Sequence, residues 1–144
     1  PNTFLKGGPG ADALLAAGGS NVLDGGAGSN FLIGGSGADG GRDTFYLDAR
    51  GGAVTWSTIV NFHQGDMATI FGFDPAVSTR PITASDGVAG YTGVTIHSET
   101  AGAGTGVNAS MTFAGLDPAT AQQHLVFSQG TLPGGIGYLL VQYM

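Results

Sequence analysis

The chain has 144 residues, enough for one modest core, and carries ten acidic against four basic side chains for a formal net charge of −6. So few cations leave no basic surface to hold nucleic acid or anionic lipid. Cysteine is absent, which excludes disulfides and thiolate metal or redox sites, and no apolar run reaches the roughly 18 residues of a membrane span.

A weakly charged module of this size without disulfides needs another staple, and a bound metal is the expected one. The chain has neither an initiator Met nor a basic leader with an apolar run. That reads as the start of a fragment excised from a longer protein.

In chain order, the first element is a repeat. Leu5, Leu14, Leu23 and Leu32 fall nine residues apart, as do Gly10, Gly19, Gly28 and Gly37. Thr3, Asp12, Asn21, Asn30 and Asp39 keep the same step. Three registers of different chemistry on one beat mark a structural repeat rather than a glycine-rich linker, because a linker has no reason to keep Leu on a period. In each unit the glycines let the backbone turn sharply and approach another atom closely. The Asp or Asn after them tolerates the turn and offers a side-chain oxygen. The Leu that follows sits in a very short strand, pointing inward.

Two units then form one coil of two strands and two turns, and successive coils stack as parallel strands about 4.8 Å apart. Leucines of opposing strands meet inside, and turns line two edges. With two units per coil, Asp12 should face Asn30 and Asn21 should face Asp39. Carbonyl and side-chain oxygens converging between stacked turns suit Ca²⁺ better than zinc or another transition metal. Without an ion those oxygens oppose one another, so metal binding should be coupled to folding. Gly35-Ser36-Gly37-Ala38-Asp39-Gly40 also spells a dinucleotide-type G-x-G-x-x-G, but no helix is expected after it and the repeat accounts for it.

These units resemble the RTX (repeats-in-toxin) calcium-binding β-roll family, whose pattern is G-G-x-G-x-D-x-U-x. Gly7–Leu15 and Gly25–Ile33 fit, with Asn30 in place of Asp, while the unit beginning at Ala16 keeps Gly19, Asn21 and Leu23. Gly34–Asp39 fits until Gly41 takes the apolar place, and the phase resets at Asp43-Thr44-Phe45, similar to a closing unit of the family. The resemblance implies Ca²⁺ ligands at second- and fourth-position carbonyls and sixth-position side chains. Those are Gly8, Gly10 and Asp12; Ala17, Gly19 and Asn21; Gly26, Gly28 and Asn30; and Gly35, Gly37 and Asp39. Asp43 of the closing unit joins them. Because Asn21 and Asn30 are neutral, each facing pair supplies one carboxylate. Weak sites follow, with dissociation constants on the order of 10⁻⁴–10⁻³ M.

Residues 1–48 are thus expected to form the calcium-binding roll and residues 49–144 a β-rich C-terminal cap. In the second part Ala53–Phe62, Met67–Phe73, Gly93–Ser98, Ala109–Leu116, Leu125–Ser128 and Tyr138–Tyr143 carry β-branched or aromatic runs bounded by turn residues. His63–Asp66, Asp74-Pro75 and Thr131–Gly137 read as breaks. Asp117 followed by Pro118 opens a single short helix running to His124. The fold class is all-β: a short parallel β-roll of nonapeptide repeats capped by an antiparallel, sandwich-like region. Thr58–Asp66 also resembles the segment that follows the repeats in RTX proteins. Asn61 replaces the usual Asp there, and Asp66 fits a last metal ligand and an ordinary turn aspartate equally well.

The histidines His63, His97 and His124 show no H-E-x-x-H or other zinc spacing, and no nucleophile elbow or P-loop is present. His97 shares a strand face with Glu99. Asn108-Ala109-Ser110 is a glycosylation sequon by pattern only. A non-enzymatic module is expected. The family resemblance implies secretion to the extracellular medium by type I secretion machinery, with folding on meeting Ca²⁺ outside the cell. A second expectation is a module that adheres to a polysaccharide or cell surface through Trp56, Tyr91, Phe71, Phe73 or Tyr138.

Overall fold

The computed structural model describes residues 2–50, 54–73, 84–98 and 109–144. The chain winds between two facing six-stranded sheets. One contains, in spatial order, β1 (Phe4–Lys6), β3 (Val22–Gly26), β5 (Thr44–Asp48), β7 (Met67–Phe71), β12 (Ile136–Tyr143) and β11 (Leu125–Leu132). The other contains β2 (Ala13–Leu15), β4 (Phe31–Ile33), β6 (Thr55–Val60), β10 (Ala109–Ala114), β9 (Gly93–Ser98) and β8 (Ala84–Asp86). Odd strands go to one sheet and even strands to the other from β1 to β7, which is the path of a β-roll.

The repeat sets the register of the first strands. Leu5 pairs with Leu23 and Leu14 with Leu32, one coil of 18 residues apart. The coils then lengthen. Leu23 pairs with Phe45, Phe45 with Ala68, and Leu32 with Ile59. The coil step is now 22, 23 and 27 residues. Inward side chains stay apolar through this change, and Leu23, Leu32, Phe45 and Ile59 are wholly buried. Leu5 and Leu14, in the first coil, are only partly covered.

The expected all-β class, a parallel roll followed by antiparallel strands, is the observed one. The antiparallel strands extend the roll's own sheets rather than lying across its end. β12 pairs with β7, and β11 with β12, both antiparallel. β10 joins β6 in parallel, and β9 and β8 follow antiparallel. One continuous core therefore runs from Leu23 to Phe113, Val94, Leu139 and Val141. Burying the inner face of each sheet and extending the edges protects strands of three residues that could not persist alone.

The short helix α1 (Pro118–His124) forms as the sequence indicates, with Pro118 in its first turn and the Asp117 carboxylate accepting from Thr120 N at 2.7 Å. β8 was not anticipated: its three residues carry no apolar alternation. The run from Thr131 to Gly137 is shorter as a break than expected, because β11 and β12 continue to Leu132 and from Ile136. Ala53, the Asp74-Pro75 break, Glu99 and Asn108 lie outside the described residues.

Candidate metal centre

Along each edge of the roll the turns are tied together by side chains. On one edge Thr3 N donates to Asn21 Oδ1 at 3.1 Å, Asn21 N to Asp43 Oδ1 at 2.9 Å, and Asp43 N to Asp66 Oδ1 at 2.7 Å. On the other, Asp12 N donates to Asn30 Oδ1 at 3.0 Å and Asn30 N to Ser57 Oγ at 3.0 Å. These five side-chain oxygens each accept a backbone N–H of the preceding coil. A second ladder, one residue earlier, runs the other way: Asn2 Oδ1, Ser20 Oγ and Ser29 Oγ accept from Ser20 N, Arg42 N and Trp56 N. Sequence reasoning missed this ladder, although the 18-residue coil step between Asn2 and Ser20 was a usable signal.

The turns stack through their backbones. Gly26 lies over the Gly8 carbonyl, Gly28 over Gly10, Gly35 over Ala17 and Gly41 over Gly19. Any side chain on Gly28 would collide with the Gly10 carbonyl, and its φ is +89°, so glycine is required there.

One expected pairing is corrected. Asn21 faces Asp43 rather than Asp39, and Gly41 rather than Gly37 covers Gly19. The cause is a four-residue loop, Ser36–Asp39, inserted after Gly34-Gly35. The unit resumes as Gly40-Gly41-Arg42-Asp43-Thr44-Phe45-Tyr46, which restores the glycine, Asp and apolar places. Asp39 instead reaches back over the neighbouring turn. Its Oδ1 accepts from Gly41 N at 3.0 Å and its Oδ2 from Gly19 N at 2.6 Å. These two donors hold its carboxyl below the usual carboxylate range.

Asn21 and Asn30 are buried, and their amide nitrogens point into the turn carbonyls. Asn21 Nδ2 donates to Ala17 O at 2.9 Å, Gly19 O at 3.3 Å and Asp43 Oδ1 at 2.9 Å. Asn30 Nδ2 lies 3.3 Å from Gly26 O, 3.3 Å from Ala27 O and 3.4 Å from Gly28 O. Four of these carbonyls are the second- and fourth-position groups that the family resemblance implies as cation ligands. In these two turns an N–H₂ group occupies the focus of those oxygens. Asp12 keeps a carboxylate in its turn, with Oδ2 accepting from Gly8 N at 2.9 Å.

Asp43 and Asp66 come together with His63: one donor atom from each lies within 4.8 Å of the others. Both aspartates are 1% exposed. Asp43 Oδ2 also accepts from Gly35 N at 2.7 Å, and Asp66 Oδ2 from His63 N at 3.0 Å. Burial outweighs these donors at Asp66 and pushes its carboxyl up to about 6. His63 was not among the expected site residues, since the lengthened coil hides its relation to Asp43. Asn61, at φ 67°, turns its amide to Gly34 O at 3.0 Å.

His97 is held by Ser110 Oγ at 2.8 Å and Asp86 Oδ2 at 3.0 Å, with Trp56 edge-on at 5.2 Å. Of the aromatics considered for adhesion, Phe73 is buried while Trp56 and Tyr91 are partly exposed. Trp56 uses its indole N–H on Thr112 Oγ1 at 2.8 Å.

A family model described as the RTX calcium-binding nonapeptide repeat matches residues 6–40 in four copies. No curated protein and no solved structure matches the chain.

Proposed function

We propose, for a chain whose residues 6–40 are RTX calcium-binding nonapeptide repeats, that it is a non-enzymatic module that completes its fold on meeting extracellular Ca²⁺ and so supports secretion and stability of a larger secreted protein. The observation that carries this is the stacking of glycine turns whose carbonyls face one edge with a carboxylate beside them. Asp12 lies beside the Gly8–Gly10 turn, whereas the Asn21 amide already holds the Ala17 and Gly19 carbonyls of the next turn. Hard oxygens of this kind suit Ca²⁺. Asn21 and Asn30 lower the charge of the array, which favours affinities on the order of 10⁻⁴–10⁻³ M. Such sites stay empty at cytosolic Ca²⁺ levels and fill outside, the difference that export through type I secretion machinery would use. Each site adds RT ln(1 + [L]/Kd), about 2.7 kcal/mol at a hundredfold excess. That amount is comparable with a sizeable part of the stability of a small domain.

Far-ultraviolet circular dichroism of the chain with chelator and with millimolar Ca²⁺, together with calorimetric titration, tests the proposal. Ca²⁺ should raise the melting temperature and the strand signal. Identical spectra and melting with chelator, or no heat of binding at 10 mM Ca²⁺, a level above the range of extracellular modules, would refute it.

One observation favours an adhesion role beside the first. Tyr46 and Phe71 stack at 5.8 Å on the outer face of the first sheet, and with Thr69, Leu132, Tyr138 and Leu140 they line a groove of about 180 Å³. Aromatic faces of this kind suit the apolar faces of sugar rings in a polysaccharide or cell surface. A glycan screen should then lose its signal in Tyr138→Ala and keep it in Trp56→Ala.

A further inference from the structure

We infer that His63, Asp66 and Asp43 form a site for a divalent transition-metal ion of the Zn²⁺ class, chemically distinct from the oxygen-only calcium turns. The imidazole is oriented as a metal ligand is. Its Nδ1 lies 3.1 Å from the Gln64 carbonyl, an oxygen that can only accept, so Nδ1 carries the proton and Nε2 presents its lone pair. A backbone carbonyl on the far ring nitrogen is the usual partner of a metal-bound histidine. Nε2 is buried and finds no hydrogen-bond partner among the described residues. It faces Asp66 Oδ2 at 3.6 Å.

That distance suits a shared metal ion better than a shared proton. An N–H···O bond spans about 2.7–3.2 Å, so 3.6 Å is too long for one. Two metal bonds of about 2.1 Å meeting at roughly 120° span it, within the range of a tetrahedral or five-coordinate zinc centre. Both carboxylates have capacity to spare. Asp66 accepts one backbone N–H on each oxygen, and Asp43 Oδ2 accepts only Gly35 N among the described residues. A carboxylate offers about four acceptor positions.

The surroundings are built around the ring. The inserted loop passes directly over it: a methyl group on Gly37 would lie 2.7 Å from Cε1 and Nε2. The side chain of His63 is 23% exposed while that of Asp66 is fully buried, so the site lies just beneath the surface. One nitrogen with two carboxylates is a set that Zn²⁺ or Co²⁺ accepts readily, whereas Ca²⁺ prefers six to eight oxygens.

Asp43 and Asp66 are thereby taken out of the calcium set in which the family resemblance places them, and the test separates the two ions. The whole chain is titrated with Co²⁺ and then Zn²⁺ in millimolar Ca²⁺. One equivalent of Co²⁺ should develop visible d–d bands that Zn²⁺ abolishes, and one imidazole N–H resonance of the wild type should show a paramagnetic shift. His63→Gln and Asp66→Asn should each weaken Co²⁺ binding at least tenfold, as commonly follows loss of a metal-site group. His124→Gln should leave it unchanged. Absence of Co²⁺ bands, their loss to millimolar Ca²⁺, or wild-type affinity in His63→Gln would overturn the proposal. So would a shifted resonance assigned to another histidine, a readout that needs no variant to fold.

Discussion

At the scale of single residues, the replacement of Asp by Asn in two turns changes what the turn needs. A carboxylate among carbonyls requires a cation, whereas the carboxamides of Asn21 and Asn30 bring their own hydrogens to those carbonyls. Asn21→Asp and Asn30→Asp remove those donors, and an unsatisfied buried group costs about 1–3 kcal/mol. Both variants should melt lower than wild type in chelator and gain more from Ca²⁺, seen as a wider gap between the two melting temperatures. Equal gaps in variant and wild type would show that the amide does not act in place of the cation. Gly28 offers a second test. Its positive φ and its contact with the Gly10 carbonyl leave no space for a methyl group, so Gly28→Ala should lower stability by about 1–3 kcal/mol in urea unfolding with or without Ca²⁺.

Among the elements, the inserted loop Ser36–Asp39 shows how a repeat absorbs an irregularity. The four residues leave the stack, and Asp43 and Phe45 enter the register that unbroken counting gives to Asp39 and Gly41. Helix α1 depends on a different local device, its Asp117 cap. The backbone N–H of Thr120 holds the Asp117 carboxyl below its ordinary value of 3.8. A depressed folded value means the cap stabilises above that ordinary value and is lost as pH falls through the folded one. Asp117→Ala should therefore melt below wild type at pH 7, and the difference should shrink as the pH is taken below about 4. A difference constant down to pH 2 would mean that the charge is irrelevant to the cap.

For the whole molecule, the decisive fact is that both sheets pass from the repeat strands into the later ones with a shared core. β5 and β7 join the repeat segment to β12, whose Leu139 is 1% exposed. Stability is therefore expected to be common property. Leu139→Ala should cost about 2–5 kcal/mol and raise hydrogen exchange in β3 and β5 as well as in β12. Exchange confined to residues after 124 would show two separately folding parts. This sharing also accounts for how the first coil persists: with Leu5 and Leu14 only partly buried, it leans on a core it does not itself supply.

The amino-acid sequence alone determined the nine-residue unit, the inward leucines, the two glycine-turn edges and the chemistry of their oxygens, because each depends on a period that local geometry repeats. It also marked α1, where Asp117 and Pro118 act within one turn. Tertiary structure decided the rest. Once coil length departs from 18 residues, the partner of a side chain is set by how much chain the bend consumes, and composition does not encode that length. Asp43 opposite Asn21, Ser57 opposite Asn30, and His63 beside Asp43 and Asp66 all arise beyond that point. The strand additions that extend both sheets are likewise a choice among apolar edges, made by packing rather than by pattern.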